Sequence, residues 1–225
     1  MIPEKILARW NKKDAPWKTL QLVEHDLILT RVLVEIYKLA EIRKNFAFRG
    51  GTAFNKLYIS PPARFSEDID LVQIKSEPIG ETLDQLRSVI DPWLGKPKWK
   101  IGERSTKIYY SYQSIHNEPL KLKIEINTTE HFHLMPLKQE RLMIESEWFS
   151  GEADLLVYQL DEMVATKFKA LYQRRKGRDL FDTWMVLKDP LKNATSSIFQ
   201  PVTKAKFGSR RGSLSFFWTP LLKIG

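Results

Sequence analysis

Cysteine is absent from this chain of 225 residues. Its absence excludes disulfide frameworks, cysteine-rich zinc sites and cysteine nucleophiles together, and it agrees with a reducing compartment. Histidine is sparse, with four residues. His131 and His133 read as two imidazoles on one strand face, but no further good ligand lies near them in sequence, so no zinc site is expected. Long apolar runs are missing, and nothing approaches the length of a membrane span. The opening residues Met1-Ile2-Pro3-Glu4-Lys5 carry no secretion-signal pattern. The expectation is a soluble cytoplasmic protein. Acid is missing from one stretch: residues 190–225 contain no Asp or Glu. That stretch has no visible period and reads as a basic, poorly specified tail over 191–225. No internal repeat is present.

What is there supports a folded core. Hydrophobic residues make up 43% of the chain, which excludes wholesale disorder. Lys and Arg number 36 against 27 Asp and Glu, for a net charge of +9. A positive field favours polyanions such as nucleotides or nucleic acid, although many basic proteins bind neither.

The apolar spacing predicts a long helix from Thr19 to about Arg43, with Leu20, Val23, Leu27, Val34 and Tyr37 on one stripe. Phe46 to Arg49 reads as a short strand. Gly50-Gly51 forms a turn, and a helix begins at Thr52 and ends before Ser60-Pro61-Pro62. Asp68 to Ile74 is a second strand, and Ile79 to Leu94 a helix. Thr106 to Tyr112 and Leu120 to Thr128 form a hairpin whose second strand alternates Leu122, Ile124 and Ile126 against Lys121, Lys123, Glu125 and Asn127. From Leu155 onward the pattern is helical. We therefore expect a mixed α/β domain over 1–150 and a helical part over 151–190.

The chemistry concentrates at the turn and the next strand. Asp68 and Asp70 lie two apart on a strand and so project together. Side-by-side carboxylates repel unless a cation joins them, and Mg2+ (or Mn2+) is the natural one, since it takes oxygen ligands and shares them with phosphates. Gly50 and Gly51 allow the backbone to approach an anion, and the helix after them offers free N–H groups. Thr52 adds a hydroxyl, and Lys56 lies one turn on along the same face. Glu125, on the polar face of its strand, would complete a set of three acids if that strand neighbours the Asp68–Asp70 strand. Arg49, Arg64 and Ser66 flank this cleft. Each element alone has a plain alternative: a turn, a solvated strand face, a pairing of Glu125 with Lys121 or Lys123. The ordered combination is far more specific.

Phe48-Arg49-Gly50-Gly51-Thr52-Ala53-Phe54 followed by Arg64-Phe65-Ser66-Glu67-Asp68-Ile69-Asp70-Leu71 resembles the AbiEii family of toxin nucleotidyltransferases, within the DNA polymerase β-like nucleotidyltransferase superfamily. The stretch from Asp161 through Lys167 to Arg178-Asp179-Leu180-Phe181-Asp182 resembles the later motifs of that family, as do Pro16-Trp17 and Glu24-His25-Asp26-Leu27 near the start. The likeness covers roughly residues 1–188 by our reading of these motifs. It implies an α+β fold, with a mixed sheet flanked by helices and a helical C-terminal part. It implies transfer of a nucleoside monophosphate from an NTP to an acceptor hydroxyl, with Asp68, Asp70 and Glu125 as metal ligands. By position, Lys167 and Asp182 act with them, and Asp179 competes with Asp182 for that role. The implied partners are an RNA acceptor, tRNA foremost, and a separately encoded cognate antitoxin. Two other readings stay open at this point: a non-catalytic basic RNA- or DNA-binding protein, and a nucleotidyltransferase acting on a small molecule.

Overall fold

The computed structural model describes residues 2–13 and 15–187; the tail expected over 191–225 lies outside them. Helices α1 (Glu4–Lys13), α2 (Leu20–Lys38) and α3 (Ala40–Asn45) lead into strand β1 (Phe46–Arg49), which runs directly into α4 (Gly50–Leu57). Then come β2 (Asp68–Gln73), α5 (Gly80–Leu94), β3 (Lys98–Ile101), β4 (Ser105–Gln113), β5 (Pro119–Asn127), β6 (Lys138–Glu145), β7 (Ser150–Val157), α6 (Leu160–Arg174) and α7 (Gly177–Leu187). The seven strands form one mixed sheet in the order β3-β4-β5-β2-β1-β7-β6. The expected α+β architecture is present. Among the described residues, no helix is long and apolar enough to cross a membrane.

One face of the sheet is the core. Ile69, Leu71, Ile124, Ile126, Phe48 and Val157 are buried there, and α2 packs against this sheet. The helix is buried nearly all round in its second half, from Leu27 to Tyr37, because α5 as well as the sheet packs against it, with Trp93 meeting Arg31 and Glu35. Strand alternation then forces Asp68, Asp70 and Glu125 onto the opposite face. β2 pairs with β1 antiparallel, setting Arg49 opposite Asp70, and with β5 in parallel, setting Asp70 opposite Glu125 and Asp68 opposite Lys123.

Several boundaries differ from expectation. The long first helix is two, broken at Leu39, whose extended backbone (ψ 123°) leaves the helical region. Gly50 and Gly51 belong to α4 itself rather than to a turn before it. The expected domain limit at residue 150 cuts through the sheet. Residues 150–157 form β7, which pairs in parallel with β1 at Phe48 and Val157, so Leu155–Val157 is strand, not helix. Strands β3 and β6 were not anticipated, because neither alternates cleanly: all four residues of β3 are exposed. His131 and His133 lie in no strand; their Nδ1 atoms meet the carbonyls of Gln73 and Met135.

A buried polar cluster at the N-terminal end of α2 fixes the segment that leads into β2. The His25 Nε2 lies 2.9 Å from the Glu67 carbonyl, and its Nδ1 lies 2.8 Å from the Tyr112 hydroxyl. A carbonyl only accepts, so Nε2 carries the proton and Nδ1 accepts from Tyr112. Burial lowers the pKa of His25, against the raising effects of the Glu67 carbonyl and the charges of Glu67, Asp26 and Asp68. The folded state thus favours the neutral ring. Its stabilising contribution is complete above the unfolded pKa of about 6.5 and is lost as pH falls through the depressed folded value. We expect urea unfolding from pH 7 to pH 5 to show a stability decline that is shallower in His25→Gln, by up to about 1.4 kcal/mol per pH unit. An identical slope in both proteins would contradict this.

Candidate active site

The junction of β1 and α4 places two glycines beside the acids. Gly50 has φ +86°, a left-handed conformation that side chains rarely adopt, and a Cβ there would collide with the Asp70 carboxylate. At Gly51 a Cβ would collide with the guanidinium of Arg64 and meet Ser66 Oγ at 3.0 Å. The residue before α4, Arg49, makes no side-chain cap, so the first N–H groups of the helix have no side-chain partner there.

Asp68 and Glu125 share one cation. Lys123 Nζ lies 2.8 Å from Asp68 Oδ2 and 3.1 Å from Glu125 Oε2. Glu125 also accepts from Ser105 Oγ at 3.1 Å and faces Lys107 at 3.4 Å. Burial pushes the Glu125 carboxyl up, but Lys123, Ser105 and Lys107 together hold it below its usual range. Asp70 differs. Burial raises its pKa, Arg49 offsets that only in part, and the charges of Asp68 and Glu125 push the same way as burial. The donor set is therefore three hard carboxylate oxygen groups with unmet negative charge at Asp70, already seating an ammonium between two of them. That chemistry fits a divalent cation with oxygen ligands. As placed, however, no three His, Asp or Glu side chains among the described residues are drawn close enough to hold a metal. The three acids share a face without closing into one ligand cluster.

Asp70 and Glu125 line a cavity of about 510 Å³, to which α6 contributes a cationic wall. Met163, Thr166, Lys167, Lys169, Ala170, Gln173 and Arg174 of α6 line it together with Gly50, Asp70, Glu125, Arg49 and Arg104. Glu130, which also lines it, receives Arg49 at 2.9 Å and Lys169 at 3.4 Å. The N-terminal turn of α6 is anchored by buried Glu162, which accepts from the backbone N–H groups of Leu134 and Met135 at 3.0–3.1 Å.

Behind this wall lies a buried ionic network. Lys167, 7% exposed, reaches Asp182 at 2.8 Å and Asp179 at 3.4 Å; both aspartates are fully buried. Arg64 forks onto Asp182 with two bonds of 2.6 Å, and Arg174 onto Asp179 with bonds of 2.7 and 2.8 Å. Burial would raise Asp179, but Arg174 and Lys167 bring its carboxyl below the ordinary value.

The family model described as nucleotidyl transferase AbiEii toxin, type IV toxin–antitoxin system, matches residues 31–221. The chain belongs to the AbiEii nucleotidyltransferase toxin family. The match begins later than the sequence motifs suggested and continues beyond residue 188, into the stretch we read as unlike the family. No curated protein matches this AbiEii chain significantly. Two solved structures are similar in fold. JHP933 from Helicobacter pylori superposes with a TM-score of 0.55 at 21% identity, covering 76% of this chain and 68% of its own. MenT4, a nucleotidyltransferase toxin from Mycobacterium tuberculosis, gives 0.57 at 20% identity, covering 81% and 63%. The chain thus spans about two thirds of the length of these relatives.

Within this AbiEii protein, Gly50, Asp70, Glu125 and Lys167 meet at one cavity. Asp68 shares their sheet face. Other expected residues serve elsewhere. Lys56 does not reach the cavity: its Nζ pairs with Asp26 at 2.7 Å, beside the Trp10 ring. Thr52 is buried, its hydroxyl bonded to the Asp68 carbonyl and to Ser66 Oγ at 2.9 Å. Thr52 and Ser66 thus brace the start of β2. Arg64 holds Asp182 rather than standing free. Lys169, Arg104 and Glu130 were missed, because nothing in their local sequence distinguishes them from surface charges.

Gly50→Ala would strain a left-handed backbone by roughly 1–2 kcal/mol before any collision with Asp70. It should lower the urea midpoint and abolish nucleotide incorporation. Gly80→Ala, where a Cβ meets nothing within 4 Å, should leave both unchanged. Asp182→Ala strands Lys167 and Arg64 without their shared carboxylate. A loss of about 3–5 kcal/mol is expected on unfolding, and unchanged stability would mean that Asp182 acts only in chemistry.

Proposed function

We propose that the chain transfers a nucleotidyl group from an NTP to the 3′-terminal hydroxyl of an RNA, tRNA foremost, as the toxin of a system whose cognate antitoxin is encoded separately. The reading is carried by the opposition of two walls: acids on the sheet, cations on α6, and the bare Gly50 backbone between them. An NTP supplies what both walls lack. Its phosphates would face Lys167, Lys169, Arg174 and the N–H groups at the start of α4, while the acids face the reacting end.

Asp68, Asp70 and Glu125 would hold Mg2+ (or Mn2+), which when bound supplies Lewis-acid polarisation of the phosphate and activation of a hydroxyl. The acceptor oxygen forms a bond to the α-phosphorus as the bond to the bridging oxygen of the β-phosphate breaks, and pyrophosphate leaves. The acceptor proton passes to a carboxylate on the sheet face. Glu125, kept ionised by its lysine neighbours, is free to receive it, and those neighbours also make it a weaker base than Asp70, whose pKa burial raises. Lys167, fixed by Asp182 and Asp179, holds a positive charge toward the leaving group at little reorganisation cost. The Arg49–Glu130–Lys169 contacts keep the mouth of the cavity in register with α6.

The test is incubation with each labelled NTP, Mg2+ and total RNA, comparing the native chain with Asp70→Asn and Asp84→Asn. Asp84 is an exposed carboxylate on α5. We expect label in RNA with the native chain and Asp84→Asn, none with Asp70→Asn, and none when EDTA is added. Equal labelling by Asp70→Asn would remove the acid face from the mechanism. In a parallel tube that offers small hydroxylated acceptors in place of RNA, label found only there would replace RNA as the substrate.

A further inference from the structure

The acid face of the sheet does not end at Glu125. Directly paired residues project to the same side, and the register continues two rows outward. One row runs Asp68, Lys123, Tyr109, Lys98; the other runs Asp70, Glu125, Lys107, Lys100. Lys121, opposite Ser111, lies alongside on β5. The other side of these strands is core, with Ile108, Tyr110, Leu122 and Ile124 buried. On the acid side Lys98, Lys100, Ser111 and Lys121 are exposed. Lys107 and Lys123 are engaged with the acids, and Lys121 lies over the Tyr109 ring at 5.6 Å. Among the described residues, Lys98, Lys100 and Lys121 have no carboxylate partner. Edge lysines also guard a sheet against pairing with another chain. That accounts for Lys98 and Lys100 on β3 but not for Lys121 on the inner strand β5.

We propose that this open lysine face is the track along which the single-stranded 3′ end of the RNA acceptor reaches the acids. The inference rests on the RNA-acceptor reading above and adds where the acceptor lies. Three interstrand spacings separate β3 from β2, roughly 14 Å, so the rows join the sheet edge to the reacting end. Phosphates would meet Lys98, Lys100 and Lys121, and the half-buried Tyr109 offers a ring between them for a base. An acidic protein would complement the lysines, but only a polyanion that ends in a hydroxyl makes use of both ends of the rows.

The test uses the full chain and a short single-stranded RNA with a 5′ fluorophore and a free 3′ hydroxyl, followed by anisotropy across a salt series. Loss of three phosphate contacts in Lys98→Ser/Lys100→Ser/Lys121→Ser should make the slope of log affinity against log salt shallower by about 2. Lys121→Gln alone should lower it by about 0.7, as expected for one contact on a single strand. Affinity for labelled NTP and the thermal midpoint should stay at native values in both. If native and triple-variant chains bind RNA with the same slope, the track is wrong and the RNA-acceptor reading survives. If the native chain binds no RNA, that reading fails and takes the track with it. Displacement of the RNA by polyglutamate of equal charge at equal concentration would indicate an acidic protein as the occupant, and would also overturn the proposal.

Discussion

Carboxylates set side by side on neighbouring strands repel one another, and the cleft is arranged around that repulsion. Asp68, Asp70 and Glu125 project from one face because the β2–β5 register leaves them no other side. Lys123 and Lys107 answer two of the acids from the same sheet, and Arg49 answers Asp70 across the β1–β2 pair. The compensation is incomplete at Asp70, where burial outweighs Arg49 and Lys123. A site with a cation-shaped deficit at its centre and cations at its rim is suited to a substrate carrying phosphate together with a divalent ion.

The same deficit explains why the surroundings are so heavily braced. Gly50 must be bare because the Asp70 carboxylate occupies the space of a side chain, and Gly51 because Arg64 passes over it. Arg64 in turn is fixed by Asp182, which also holds Lys167. One chain of contacts therefore links the loop before β2, the start of α4, and the α6–α7 pair. The paired aspartates of α7 do not reach the cavity lining; they aim the lysine and arginine that do. A buried ionic network is a costly way to gain stability, and its value here lies in fixing the cationic wall opposite the acids.

Much of this was legible in the chain. The Gly50-Gly51 pair, the Asp68-Ile69-Asp70 spacing and the alternation around Glu125 each reflect local rules: glycine at a close approach, period two on a strand, polar against apolar faces. Those rules act over a few residues and so survive in a linear reading. Lys56 shows where they stop. It shares a helix with Gly50 and Thr52, yet Asp26, thirty residues earlier, claims its ammonium at the far end of that short helix. Strand β7 was hidden for a different reason: its hairpin partner β6 is close in sequence, but its own pattern is ambiguous between strand and helix, and only the single parallel pairing to β1, about a hundred residues away, ties it to the site.

The sequence by itself determined the residue types of the acid set, the glycines that admit it, and the strand periodicity that turns two of the acids to one side. These follow from covalent geometry and sterics between near neighbours. Only the tertiary structure decided that Glu125 stands directly opposite Asp70, that Lys167 is held by two buried aspartates, and that Thr52, Ser66 and Lys56 brace the scaffold. Those outcomes depend on strand order and on which distant charge satisfies which, and burial enforces such pairings only once the chain has folded.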